Sequence, residues 1–192
     1  MNIQSVLFVG VGGDGIITAS NIVAEACMLA GYDVKKSEIH GMSQRGGSVS
    51  ASVRFGDRVY SPTDKLGSVQ FMLATEKVEM LRWVRYLNEN STVVVNDRIV
   101  PIVNQTINEM EVDKMIGVVK IKKIILRKFT EDAEKLGNLR LVNTIMLGVL
   151  SNFVEINEKY FIDAIDNLLP ERLRTINQYA FSYGRNLSKE YS

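Results

Sequence analysis

The sequence predicts an α/β fold in three layers: a mixed, mostly parallel sheet with a Rossmann-like start, a β-hairpin insertion and a helical C-terminal part. Three observations predict it. An apolar run at residues 3–9 closes on glycines and is followed by apolar residues at helical spacing. Two-residue Gly56-Asp57 separates an alternating segment from Arg58-Val59-Tyr60. From Thr130 onward the periodicity is helical throughout.

Taken in order, residues 3–9 read as a buried strand. Ile16, Ile17, Ile22, Val23, Ala26, Leu29 and Ala30 then mark one helix, which Gly31 stops. Residues 32–37 read as the next strand and residues 41–47 as a glycine-rich loop without periodicity. Residues 49–55 alternate Val, Ala, Val and Phe with Ser and Arg, and are expected to form a hairpin with residues 58–60. A buried strand at 69–74, an amphipathic helix at 77–88 and an apolar strand at 92–95 ending at Asn96 follow. Between residues 102 and 129 the pattern is weak, apart from a strand at 124–126. Helices are expected at 133–136, 139–154, 158–168 and 171–186, with Pro170 and Gly184 as punctuation. Residues 1–192 form a single domain in this reading, since no repeat, low-complexity tract or linker interrupts them.

Composition narrows the function. With 192 residues, 46% hydrophobic and 23% charged, the chain can bury one substantial core. A formal charge of +1 without a dense Lys/Arg run lacks the footprint of a nucleic-acid binder. The most apolar stretch, residues 141–154, contains Asn143, Thr144 and Asn152 and is too short to span a hydrocarbon layer of about 30 Å, so no membrane association is expected. The N-terminus enters a strand without a basic leader, which makes a cytoplasmic location the expectation. Cys27 is the only cysteine, so this chain alone cannot supply an intrachain disulfide, a Cys-rich zinc site or an iron–sulfur cluster. Its helical neighbours, Ala26 and Met28, suggest a small buried residue. No acidic metal cluster, Walker loop or nucleophile elbow is present, and no metal ligand is assigned.

Two segments carry chemistry. Gly10-Val11-Gly12-Gly13-Asp14-Gly15 satisfies G-x-G-x-x-G between a strand and a helix. Glycines there permit a tight turn and close ligand approach, and the helix N-terminus favours an anion such as pyrophosphate; alternatively, they only allow close helix–strand packing. A dinucleotide site would want an acid about 20 residues on, for which Asp33 and Glu38 are available, although Asp14 would place a carboxylate near the phosphates. The second segment is Glu38-Ile39-His40-Gly41-Met42-Ser43-Gln44-Arg45-Gly46-Gly47-Ser48-Val49. Arg45, between Gln44 and Gly46-Gly47, suits a carboxylate or phosphate, because its neighbours add no bulk. A solvated loop arginine is the plainer alternative. His40 is the only histidine; it is a candidate acid–base group, though a lone histidine is more often structural and no nucleophile accompanies it.

These motifs resemble a known family. The glycine turn, the His40-Gly41-Met42-Ser43-Gln44-Arg45-Gly46-Gly47 run, Val53-Arg54, Tyr60-Ser61-Pro62, Ala74-Thr75-Glu76 with Glu79 and Arg82, Val94-Val95-Asn96 and Leu136-Gly137-Asn138 follow the family's order. So do Asn143 with Met146-Leu147-Gly148, and Asn177 with Ala180-Phe181 and Gly184. Nearly the whole chain is similar to the gamma-type small subunits of 2-oxoacid:ferredoxin oxidoreductases, in the branch of the indolepyruvate ferredoxin oxidoreductase beta subunits. Two departures are Asp14, where the family usually has Gln, and charged Lys77, where a small or apolar residue is usual.

The resemblance implies oxidative decarboxylation of a 2-oxoacid such as an arylpyruvate to an acyl-coenzyme A, with electrons passed to ferredoxin. It implies that thiamine diphosphate, Mg and the 4Fe–4S clusters sit on a large alpha subunit, joined to this chain in a heterodimer or heterotetramer and inactive without it. Coenzyme A is the implied occupant of the glycine turn, with Gly10, Gly12, Gly13, Asp14 and Gly15 around it. Ser43, Gln44, Arg45, Gly46 and Gly47 would form the adjoining loop, with His40 and Arg45 as the catalytic candidates. Two other functions fit the residues taken alone: a stand-alone NAD(P)-dependent oxidoreductase and a non-catalytic assembly subunit.

Overall fold

The computed structural model describes residues 3–41, 47–101 and 107–187. Six strands form one sheet. In chain order they are β1 (Gln4–Val11), β2 (Asp33–His40), β3 (Ser48–Gly56), β4 (Val69–Ala74), β5 (Leu87–Asn96) and β6 (Lys123–Arg127). Across the sheet the order is β2-β3-β1-β4-β5-β6. β1, β4, β5 and β6 pair in parallel, while β3 pairs antiparallel with both β1 and β2. This is the expected mixed, mostly parallel sheet.

Helices cover both faces. Strand side chains alternate between faces, so Val6, Phe8, Val53, Phe55 and Leu73 pack on one side, with α1 (Ile16–Leu29), α5 (Val142–Leu150) and α6 (Glu158–Leu168). Leu7, Val9, Met72, Val93 and Val95 pack on the other, beneath α2 (Lys77–Trp83) and α3 (Glu109–Gly117). The helical C-terminal part comprises α4 (Phe129–Lys135), α5, α6 and α7 (Glu171–Leu187). α5 and α7 approach closely at two glycines: a Cβ on Gly148 would lie 2.1 Å from the Phe181 carbonyl oxygen, and one on Gly184 would lie 2.0 Å from that of Ile145. Cys27 is fully buried, and that burial raises its thiol pKa, in keeping with a packing role.

The hairpin over residues 49–60 is corrected. β3 has β1 on one edge and β2 on the other, so no edge is left for residues 58–60. The antiparallel pair is instead β2 with β3, joined through residues 41–47. Side chains pin the segment after Gly56: the Val59 amide donates to Asp33 Oδ2 at 2.8 Å, and Arg54 Nη1 donates to the carbonyls of Ser61 (2.6 Å) and Thr63 (3.0 Å). The helix expected at 77–88 stops at Trp83, and one 3-10 turn at Val84–Tyr86 leads into β5, which starts five residues before the expected strand. α3 occupies part of the weakly patterned region, where the Asn108 side chain caps it by accepting from the Met110 amide.

Candidate functional site

The glycine turn sits at the C-terminal end of β1, where parallel α/β sheets place their ligands. Gly10 makes room for Thr75: a Cβ there would lie 2.0 Å from Thr75 Oγ1. Gly13 (φ 103°) and Gly15 (φ 77°) adopt the left-handed conformation, and Gly15 caps α1 without any side-chain hydrogen bond. Gly15 also faces Asn143, whose Nδ2 would lie 2.9 Å from a Cβ, and the Asn143 amide donates to the Asp14 carbonyl.

The Val11, Gly12 and Asp14 amides of the turn are engaged within the chain, that of Val11 by Asp14 Oδ2. Gly12 N–H donates to the Gly47 carbonyl at 2.8 Å, and Asp14 N–H donates to the Val11 carbonyl at 3.1 Å. Among the described residues this leaves the Gly13 and Gly15 amides and the first turn of α1 for a ligand. The Asp14 carboxylate is also engaged. It accepts from Thr75 Oγ1 at 2.6 Å and pairs with Arg98 Nη2, while Arg98 Nε donates to the Thr75 carbonyl at 2.9 Å.

The second glycine-rich segment is held beside the first. Its base closes through the Gly41 amide, which donates to the Ser48 carbonyl at 2.8 Å, and the Gly12–Gly47 bond ties that base to the turn. Ser48 Oγ donates to Glu79 Oε2 at 2.5 Å, and Glu79 is in turn close to Arg82. Glu76 caps α2 by accepting from the amides of Val78 and Glu79; burial still pushes its carboxyl pKa above the usual carboxylate value. Ser43, Gln44, Arg45 and Gly46 lie outside the described residues, as does the side chain of His40.

A cavity of about 530 Å³ opens at the turn. Its lining includes Gly13, Gly15 and Thr18 of the turn and first helix, the charged Arg98 and Arg140, and the apolar Ile22, Leu147, Leu169 and Leu173. Thr144 Oγ1 donates to Asn177 Oδ1 at 2.7 Å, which links α5 to α7 at the cavity lining. Sequence reading did not single out Arg98 or Arg140; the residue connecting Arg98 to the turn is 84 positions away, so no local motif could have shown it.

The acids weighed for a ribose do not reach the turn. β3 stands between β1 and β2, which puts β2 about 10 Å from β1. Asp33 lies at the opposite end of the sheet, bonded to Lys35 and the Val59 amide, and Glu38 pairs with Lys36 on the edge strand. The dinucleotide arrangement, with its acid on the strand next to β1, is therefore absent from the described residues.

A family model described as pyruvate ferredoxin/flavodoxin oxidoreductase matches residues 5–187. An indolepyruvate oxidoreductase subunit from Pyrococcus horikoshii is 35% identical over 201 residues, which cover 99% of this chain and 98% of that protein. Two solved structures share the fold. The gamma subunit of a keto/oxoacid ferredoxin oxidoreductase from Geobacter sulfurreducens has a TM-score of 0.73 at 20% identity, covering 97% of this chain and 99% of its own. A 2-oxoglutarate:ferredoxin oxidoreductase from Magnetococcus marinus, with 2-oxoglutarate, coenzyme A and succinyl-CoA bound, has a TM-score of 0.79 at 18% identity; the match covers 100% of this chain and 32% of that one.

Proposed function

Because the chain belongs to the pyruvate ferredoxin/flavodoxin oxidoreductase family, we infer that it works as the small subunit of an indolepyruvate-type 2-oxoacid:ferredoxin oxidoreductase, with the nucleotide end of coenzyme A in its glycine-turn cavity. The reaction converts a 2-oxoacid and coenzyme A to acyl-coenzyme A and carbon dioxide, and passes two electrons to ferredoxin. The 35% identity to the Pyrococcus horikoshii subunit over nearly the full length supports an arylpyruvate as the oxoacid.

The observation that carries the coenzyme A assignment is the cavity itself. Its volume of about 530 Å³ lies in the range of small-molecule sites, and it combines a left-handed glycine pair at a helix N-terminus with an apolar wall. Those residues fit a diphosphate joined to a purine. When bound there, coenzyme A supplies the thiol that accepts the acyl group; this chain's part is to hold the nucleotide end and exclude water around it.

The 4Fe–4S clusters do not fit this chain, and the family resemblance puts thiamine diphosphate with its Mg on the partner. A 4Fe–4S cluster needs four ligands, whereas Cys27 is the only cysteine and is buried. Among the described residues no set of three or more His, Cys, Asp or Glu side chains is placed to hold a metal ion. These groups are assigned to the large alpha subunit, through which ferredoxin is also reduced. Arg45, with His40, Ser43, Gln44 and Gly46, is assigned to the loop that meets that subunit, and the tether from Gly47 to Gly12 supports the placement.

Reconstitution with the large subunit tests this function. Gly13→Val places a branched side chain at φ 103° and at the cavity wall, and is expected to raise the KM for coenzyme A at least tenfold while leaving that for the 2-oxoacid unchanged. Arg45→Ala is expected to lower turnover with assembly intact. An unchanged coenzyme A KM in Gly13→Val would refute the cavity assignment, and turnover by the isolated chain would refute the subunit role.

A further inference from the structure

We propose that Arg98 and Arg140 are the anion-holding side chains of the cavity, and that together they read the phosphate groups of a nucleotide ligand. The proposal rests on the coenzyme A reading for the identity of that nucleotide, though not for the existence of the anion site.

The charge distribution of the lining comes first. Among the described residues, Asp14, Arg98 and Arg140 are the ionisable ones lining the cavity. Asp14 is already matched by Arg98, so Arg140 leaves one positive charge in excess. The uncharged polar residues of the lining include Thr18, Thr75, Asn138 and Asn143, beside the glycine turn. A cavity lined both by apolar side chains and by guanidiniums selects a ligand with an aromatic or aliphatic body and an anionic part.

Arg98 is prepositioned. Its Nε is held by the Thr75 carbonyl and its Nη2 by the Asp14 carboxylate, while its side chain remains 35% exposed. A guanidinium has five N–H donors in a rigid plane, so the donors not used by Thr75 and Asp14 remain for a phosphate, with little ordering cost on binding. Asp14, which from the sequence looked adverse to a phosphate, acquires a role as the orienter of this arginine. Thr75 completes the same cluster through both its hydroxyl and its carbonyl.

Arg140 is the complement. It is exposed, lines the cavity, and among the described residues has no ion pair. Its backbone is fixed, because its amide donates to Asn138 Oδ1 at 3.0 Å at the start of the 3-10 turn preceding α5. The side chain therefore leaves a rigid base at the cavity and can swing onto a ligand. Arg98 acts as a fixed contact and Arg140 as a mobile one.

Calorimetric titration of the isolated full chain tests the proposal, with adenosine 3′,5′-bisphosphate as the anionic probe and pantetheine as the uncharged one. Arg140→Gln is expected to weaken bisphosphate binding about 10- to 100-fold and leave pantetheine unchanged, the loss expected for a charge-assisted contact. Arg98→Gln alone would strand the Asp14 carboxylate, so it is paired with Asp14→Asn. That double variant should keep the wild-type circular dichroism spectrum and lose affinity by a similar factor. If the wild-type chain does not bind the bisphosphate, or both variants bind it as wild type does, the proposal is overturned.

The two readings fail separately. A coenzyme A KM that responds to Gly13→Val, alongside arginine variants with wild-type bisphosphate affinity, overturns the arginine assignment alone. Arginine-dependent bisphosphate binding, alongside a coenzyme A KM indifferent to Gly13→Val, supports the anion site and overturns coenzyme A as its occupant.

Discussion

The Gly12 amide donates to the Gly47 carbonyl at 2.8 Å, so the two glycine-rich segments of the site share a hydrogen bond across 35 residues of sequence. A shift in the turn is thereby passed to the base of the neighbouring loop. Close packing behind the turn sets its position. Gly10→Ala would put a Cβ 2.0 Å from Thr75 Oγ1 and 3.1 Å from Thr75 Cβ, displacing the hydroxyl that bonds Asp14. The variant is expected to lose about 2–3 kcal/mol in urea unfolding. Adding Thr75→Ala removes the clashing oxygen and should recover part of that loss; a double variant less stable than Gly10→Ala alone would contradict the packing account.

A second close approach supports the far side of the cavity. Gly148 and Gly184 let α5 and α7 meet backbone to backbone, where a Cβ on either would overlap a carbonyl oxygen at about 2 Å. Backbone cannot yield as a side chain can, so Gly148→Ala and Gly184→Ala should each cost about 3 kcal/mol. Because Thr144 and Asn177 lie on the same helix pair and line the cavity, ligand affinity should fall with stability. Gly117→Ala, at an open position, serves as the control and should leave thermal stability within a degree or two.

The difference between what the sequence showed and what it hid follows from contact range. The 69–74 and 158–168 elements appear with the expected bounds because local periodicity determines them. The glycine turn was readable for the same reason, since strand, turn and helix are contiguous. The hairpin failed because the partner of β3 is decided by competition for its edges, and β2 and β1 take both. Arg98 and Arg140 come to the turn from distant segments, which no local pattern records. α3 does carry a local signal, the Asn108 cap followed by Val112 and Ile116 at helical spacing.

Asp132 gives the fold a pH dependence. Burial would raise its carboxyl pKa, but Arg127, which donates at 2.7 Å, and the Tyr183 hydroxyl outweigh burial and leave it below the usual carboxylate value. The sign follows from the lowered value: this contribution is fully present above the unfolded pKa of about 3.9 and is lost as pH falls through the folded pKa. Asp132→Asn should cost about 2 kcal/mol at pH 7, and the gap to wild type should shrink below about pH 4. A gap that is the same at pH 3 and pH 7 would assign the stabilisation to something other than the charged form.

Lys77, the charged residue at a position where a small or apolar one was expected, is 1% exposed and sits among Asp97 (2.8 Å), Glu109 (2.9 Å) and Asp113 (2.9 Å). Burial alone would lower its pKa, yet the hydrogen bonds its ammonium donates to the three carboxylates raise it above the usual lysine value. The residue thus ties α3 and the end of β5 to the first turn of α2 through its charge. Lys77→Met would fill similar space while leaving three carboxylates without their cation, at a cost of about 3 kcal/mol. Because lysine is protonated in both states below the unfolded pKa of about 10.4, the gap between variant and wild type should be constant from about pH 6 to pH 9 and close only as pH rises through the raised folded value. Hydrogen exchange should show the loss concentrated in α3, which joins the sheet on this face mainly through Val112 and Ile116. Uniform loss of protection across all helices would instead mean that the lysine supports the whole domain rather than this one attachment.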